Sequence, residues 1–205
     1  MNLWLLRHGE SKAQTEEEFS FDSNLSDIGR EQSRKAGELL KQVDFDRIYL
    51  SPLKRARQTF EETGIPKDKV FWDSRLVEYL PDDGYKAMLP YEYPDYGSAD
   101  EHNAWNEDFL ERINGFLSDL RALNSENILV VGHAGVLSVL VTLFLCGYDQ
   151  RFGDPYFKYC SMANAAVSLL EFKGSYEAND KLIFWNYQEH LHVDADSFIK
   201  KCLDK

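Results

Sequence analysis

Apolar and polar positions along the chain change period several times. Leu3–Leu6 is a short continuous apolar run, the pattern of a strand buried on both faces. From Asp27 to Val43 the spacing becomes helical, with Ile28, Ala36, Leu39, Leu40 and Val43 on one stripe and Ser26 as N-cap. Arg47–Leu50 reads as a second strand, after which Ser51 and Pro52 are expected to open a helix as N-cap and N1. Val70–Trp72 suits a short third strand. Trp105, Phe109, Ile113, Phe116, Leu117 and Leu120 define an amphipathic helix. Ile128–Val131 is again strand-like, and Gly135–Cys146 reads as a largely buried helix. Ala165–Phe172 and Leu182–Trp185 are expected to pair as a hairpin across a turn at Lys173, Gly174 and Ser175.

Strands alternating with helices predict an α/β protein, a three-layer α/β/α sandwich around a mainly parallel sheet with one antiparallel member. A chain of 205 residues with 43% hydrophobic content suits a single domain spanning residues 1–205. Tyr79–His102 breaks the pattern, with prolines, acids and five tyrosines (Tyr79, Tyr85, Tyr91, Tyr93, Tyr96) and no clear period. Such a segment is either a lid or substrate loop, over about 79–103, or a surface excursion.

The net charge of −12, from 35 acidic and 23 basic residues, argues against nucleic acid or an anionic membrane as partner. An anionic ligand would have to be held by a local basic pocket. Cys146, Cys160 and Cys202 are widely spaced and suit reduced thiols in a cytoplasmic protein. The charge at Arg7 does not fit a signal peptide, and no apolar stretch approaches a membrane span. His190, His192, Asp194 and Asp196 read as a solvated tail rather than a metal site. With no Walker or dinucleotide motif, no cofactor or metal is expected.

Two histidines change the picture. His8, in Arg7-His8-Gly9, and His133, in Gly132-His133-Ala134-Gly135, each follow a strand directly, where α/β folds bind ligands. Arg55 and Arg57 stand in the first turns of the helix after another strand, whose free N–H groups would add positive potential. An imidazole nucleophile, guanidinium groups for the phosphoryl oxygens and a carboxylic acid for the leaving group are what covalent phosphoryl transfer requires. His8 is the candidate nucleophile, Arg7 a bidentate phosphate ligand, and His133 with the Ala134 N–H further donors. Glu78 is the candidate general acid, with Asp73, Asp82 and Asp83 as nearby alternatives.

The blocks Leu6-Arg7-His8-Gly9-Glu10-Ser11, Leu25-Ser26-Asp27-Ile28-Gly29, Ser51-Pro52-Leu53-Lys54-Arg55-Ala56, Leu76-Val77-Glu78 and Gly132-His133-Ala134-Gly135, in this order, resemble the histidine phosphatase superfamily, the phosphoglycerate mutase-like proteins. The resemblance implies that fold, a phosphate pocket of Arg7, His8, Arg55 and His133, a phosphohistidine at His8 and Glu78 as proton donor. It selects Arg55 over Arg57, places Ser11 at a position that often reaches phosphate, and puts Asn164 near the pocket. Gln14 stands where relatives usually carry asparagine, and Leu80-Pro81-Asp82-Asp83-Gly84 replaces a Gly-x-Trp-Glu-Gly-like stretch. Both departures touch the substrate side.

The expected activity is metal-independent hydrolysis of a phosphomonoester, a small phosphorylated metabolite rather than a protein. The acidic, tyrosine-rich flanks suggest a leaving group of low negative charge, aromatic or sugar-like. The alternatives are a phosphoglycerate mutase and a non-catalytic module that binds a phosphorylated ligand.

Overall fold

The computed structural model describes residues 1–18, 20–78, 109–147, 162–173 and 180–191. The expected lid at 79–103, Trp105, most of the Lys173-Gly174-Ser175 turn and the residues from His192 onward lie outside the described residues.

Among the described residues six strands form one sheet: β1 (Asn2–Arg7), β2 (Arg47–Leu50), β3 (Val70–Trp72), β4 (Asn127–Gly132), β5 (Val167–Glu171) and β6 (Lys181–Tyr187), in the order β3-β2-β4-β1-β5-β6. β1, β2, β3 and β4 are mutually parallel, while β5 runs antiparallel to both β1 and β6. The α-helices among the described residues, α1 (Asp27–Leu40), α2 (Lys54–Thr63), α3 (Phe109–Ala122) and α4 (Ala134–Cys146), cover the sheet. This is the expected α/β sandwich, with β5 as its antiparallel member.

β1 shows why its apolar run does not alternate. Trp4 and Leu6 pack with Ala36, Leu39 and Leu40 of α1 and with Ala56 and Phe60 of α2. Leu3 and Leu5 pack on the other face with Ile113 and Phe116 of α3 and Val136, Leu137 and Leu140 of α4. Successive side chains point to opposite faces, and both faces are covered, so every position must be apolar. The helix after β1 and the helix after the adjacent β4 therefore lie on opposite faces. The crevice between them, beyond the carboxyl ends of the two strands, is the topological switch point of the sheet.

Two local expectations need correction. Ile28, expected on the buried stripe of α1, is 61% exposed. Gly29 takes the inward place instead: a Cβ there would lie 2.0 Å from the Glu10 carbonyl oxygen, and one on Gly9 would lie 2.3 Å from the Gly29 oxygen. Two backbones touch where only glycines fit, and this close approach turns Ile28 outward. Ser26 caps α1 as expected, accepting from the Gly29 N–H at 3.0 Å. Ser51 does not cap α2. That helix begins at Lys54, and Asp22 caps it from another segment, accepting the Lys54 N–H at 2.6 Å.

Candidate active site

The register of the central strands builds the site. Arg7 pairs with Gly132 and Leu50 with Val131, so His8, His133 and Ser51 leave three neighbouring strands at one edge. The His8 N–H continues the ladder onto the Gly132 carbonyl at 3.0 Å, and the Ser51 N–H onto that of Val131 at 3.0 Å. The two imidazole rings lie 5.1 Å apart, centroid to centroid, and both are buried.

His8 Nδ1 is 2.7 Å from the Gly9 carbonyl oxygen. A carbonyl only accepts, so Nδ1 carries the proton and Nε2 presents its lone pair. Burial, then the charges of Arg55 and Arg7, hold the His8 pKa well below the usual imidazole range, so the ring is neutral. Arg55 Nε donates to His8 Nε2 at 3.3 Å, placing a guanidinium beside the nucleophilic nitrogen. Arg55 is itself anchored: it donates to the Phe21 carbonyl at 2.5 Å and lies 5.3 Å from the centre of the Phe21 ring. Burial pulls its pKa down to about 10 against the opposing charges of Glu78 and Asp22, which leaves it cationic at neutral pH.

Arg7 donates through one terminal nitrogen to the Met162 carbonyl, while its buried Nε has no hydrogen-bond partner among the described residues. His133 is similar. Its Nε2 is 2.8 Å from Ser51 Oγ, and its buried Nδ1 has no partner among the described residues. Burial, Arg55, His8, Arg7 and Arg112 together hold His133 well below the usual imidazole range. Two polar atoms with no partner among the described residues, buried in one cationic cluster, are uncommon in a folded protein and point to a ligand that accepts hydrogen bonds.

Glu78 joins the cluster across the crevice. Its Oε2 accepts the Gly135 N–H from the first turn of α4 at 3.1 Å, and its charge opposes the burial effect on both Arg7 and Arg55. The turn before it is pinned by Arg75, which forms a forked pair with Asp73 at 2.7 Å and reaches Asp119 on α3 at 2.7 Å. Asp73 is thus committed to Arg75, which removes one alternative acid; Asp82 and Asp83 lie outside the described residues.

Ser11, Gln14 and Asn164 form a second group rather than meeting the cationic cluster directly. The Ser11 N–H and hydroxyl donate to Gln14 Oε1 at 3.0 and 3.2 Å, and the Gln14 and Asn164 amides pair reciprocally at 3.1 Å. Asn164 Nδ2 also donates to the His8 carbonyl at 3.1 Å, which accepts the Ala165 N–H at the same distance. Ala134 is the first residue of α4, where helical N–H groups lack intrahelical partners. The expected free N–H potential at α2 is reduced, because Asp22 already takes the Lys54 N–H. Arg57 lies apart from the histidines, half-buried beside Leu50, Phe60 and Trp72.

Sequence reading missed several residues that hold the histidines. Thr59 Oγ1 accepts the Gly9 N–H at 2.9 Å, and Gln32 Oε1 accepts the Glu10 N–H, on the peptide whose carbonyl holds His8, at 2.9 Å. Ala165, at φ +52°, occupies a conformation that side chains other than glycine rarely adopt, and its carbonyl lies 3.0 Å from His190 Nε2. His190 is therefore a buried structural contact rather than part of a solvated tail. Among the described residues no group of histidines, cysteines and carboxylates could hold a metal ion, and no helix is long and apolar enough to cross a membrane.

The adenosylcobalamin/alpha-ribazole phosphatase of Salmonella typhimurium is 30% identical over 162 residues, covering 71% of this chain and 80% of that protein. The Bacillus subtilis phosphatase PhoE is 27% identical over 211 residues, covering 96% and 97%. The crystal structure of the alpha-ribazole phosphatase from Shigella flexneri superposes with a TM-score of 0.65 at 23% identity, covering 92% of this chain and 97% of that one, a likeness of fold. The sequence pattern of the histidine phosphatase superfamily (branch 1) matches residues 3–183; the chain belongs to that superfamily and is a phosphomonoester hydrolase.

Proposed function

We propose that the protein hydrolyses a small phosphorylated metabolite without a metal ion, through a phosphohistidine at His8. The observation that carries this reading is the neutral His8 with its lone pair at Nε2, set among two arginines and the buried Arg7 Nε and His133 Nδ1, which have no hydrogen-bond partner among the described residues. His8 Nε2 attacks phosphorus, the bond from phosphorus to the leaving oxygen breaks, and Glu78 gives that oxygen a proton. The Glu78 carboxylate then takes a proton from water, whose oxygen displaces His8 from phosphorus. Phosphate leaves, and the imidazole returns to its Nδ1-protonated form. Arg7, Arg55, His133 Nδ1–H and the Ala134 N–H stabilise charge on the transferring oxygens. The hydrogen bond from Nδ1 to Gly9 stabilises the positive charge the ring gains. Ser11, Gln14 and Asn164 border the leaving-group side.

The curated relatives named as adenosylcobalamin/alpha-ribazole phosphatases support a small substrate over a protein. Rapid quenching after mixing with p-nitrophenyl phosphate in excess EDTA tests the chemistry. An acid-labile phosphoenzyme and free phosphate are expected. Turnover that requires added metal, or no phosphoenzyme, overturns the reading; return of the phosphoryl group to a phosphoglycerate would make the protein a mutase.

Glu78→Gln separates the two halves of the reaction. A nitrophenolate leaves without help, whereas an alkoxide needs a proton. The variant should lose about 10²–10³-fold in the phosphorylation rate with an alkyl phosphate and less than about tenfold with p-nitrophenyl phosphate. Equal losses on both substrates in single-turnover kinetics would remove Glu78 as the acid.

A further inference from the structure

We propose that Ser51 is a positioning residue that sets the tautomer of His133, donating its hydroxyl proton to Nε2 so that Nδ1–H faces the phosphoryl group. The inference rests on the function proposed above, in which His133 is a hydrogen-bond donor to phosphate. Its geometry is independent of that reading.

Ser51 and His133 are fully buried and lie side by side because β2 and β4 are neighbours in register. Ser51 Oγ is 2.8 Å from His133 Nε2, so one of the two must donate. The surroundings of the hydroxyl favour the serine. The Leu53 N–H points at Ser51 Oγ from 3.5 Å, on the acceptor side of the oxygen, and leaves the hydroxyl proton free for the imidazole. The imidazole has three guanidinium groups around it, those of Arg55 on α2, Arg7 at the end of β1 and Arg112 on α3, beside the neutral His8 ring. These guanidinium groups oppose a second proton on the ring, and the nearby Glu78 carboxylate accepts the Gly135 N–H. A singly protonated ring whose Nε2 accepts from serine must carry its proton on Nδ1, the buried atom with no partner among the described residues.

The two histidines thus reach the same tautomer by opposite means. At His8 a carbonyl acceptor, Gly9, draws the proton to Nδ1 and leaves Nε2 unprotonated, its lone pair accepting from Arg55 Nε. At His133 a hydroxyl donor occupies Nε2 and turns Nδ1–H into a donor. The serine expected to cap a helix is released from that task because Asp22 performs it.

Two-bond proton–nitrogen correlation spectra of the full-length protein at pH 7 test the assignment. The His133 signal is identified by its loss in His133→Gln. A protonated Nδ1 and an unprotonated Nε2 are expected. A proton on Nε2, alone or with one on Nδ1, overturns the proposal, and this spectrum requires no Ser51 variant. Ser51→Ala should shift His133 toward the Nε2-protonated form and weaken vanadate inhibition. It should also lower kcat about 10–10²-fold with little change in KM. An unchanged His133 spectrum or an unchanged kcat in a folded Ser51→Ala protein also overturns it. The underlying function fails separately, by the lack of a phosphoenzyme at His8, whatever the tautomer of His133.

Discussion

His8→Ala is expected to lower kcat toward p-nitrophenyl phosphate by on the order of 10⁵-fold and to abolish the phosphoenzyme, while leaving the protein folded. The magnitude follows from the chemistry. Covalent catalysis replaces one difficult displacement by two easier ones, and without the imidazole the remaining cations can only stabilise a direct attack by water. Alanine removes a ring buried at the edge of the sheet and leaves the backbone ladder from His8 to Gly132 untouched. The same site predicts a pH profile. The free-enzyme His8 has its pKa lowered well below the ordinary 6.5, and the neutral ring is the reactive form. The acid limb of kcat/KM assigned to His8 must therefore lie below pH 6.5, with the nucleophile protonated only as pH falls through the lowered value. Residual activity within tenfold of wild type in His8→Ala would remove the nucleophile from its role. An acid limb at or above 6.5 that disappears with His8 would remove the account of its environment.

Arg55→Ala is expected to lower kcat/KM by about 10³-fold or more, with most of the loss in kcat. Arg55 touches the attacking nitrogen through Nε and is held by the Phe21 carbonyl, so its guanidinium is oriented before substrate arrives. Orientation fixed in advance stabilises the transition state more than the ground state, which is why kcat should suffer. Arg55→Lys should recover little, because an ammonium cannot contact Phe21, His8 and a phosphoryl oxygen from one planar fork. His8 should respond too. Arg55 is the largest charge holding its pKa down, so the acid limb of Arg55→Ala moves upward relative to wild type. A loss below about tenfold, or recovery by lysine to wild-type rates, would show that Arg55 supplies charge alone.

The gathering of the two histidines and two arginines was legible in the sequence because they stand at or soon after the ends of short apolar strands, and strand ends in a parallel sheet converge on one edge. Arg7, His8, Arg55 and His133 needed only that rule and the order of the motifs; in the structure Arg55 touches His8, the two imidazoles lie side by side, and the charge of Arg7 acts on both rings. Glu78 follows no such rule. Its reach to Gly135 depends on the Arg75 pairs with Asp73 and Asp119, which join parts of the chain distant in sequence. Ile28 and Ser51 were misread for the same reason. A helical stripe specifies an apolar face but does not say where a glycine–backbone contact will rotate it, and a serine before a helix is a good cap until a carboxylate from elsewhere takes the N–H.

Local pattern alone specified the strands, the helices and the α/β sandwich, because burial on one or both faces of an element leaves a period in its own residues. It also specified which residue types stood at the strand ends. The distances and tautomers were decided only in the folded chain. Gln32, Thr59, Asn164, Ala165 and Ser51 hold the two histidines through hydrogen bonds to backbone or ring nitrogens, and such bonds leave no periodic trace in the chain. Which nitrogen carries a proton depends on the donor or acceptor that tertiary packing places within about 3 Å of it, and on the water that burial excludes.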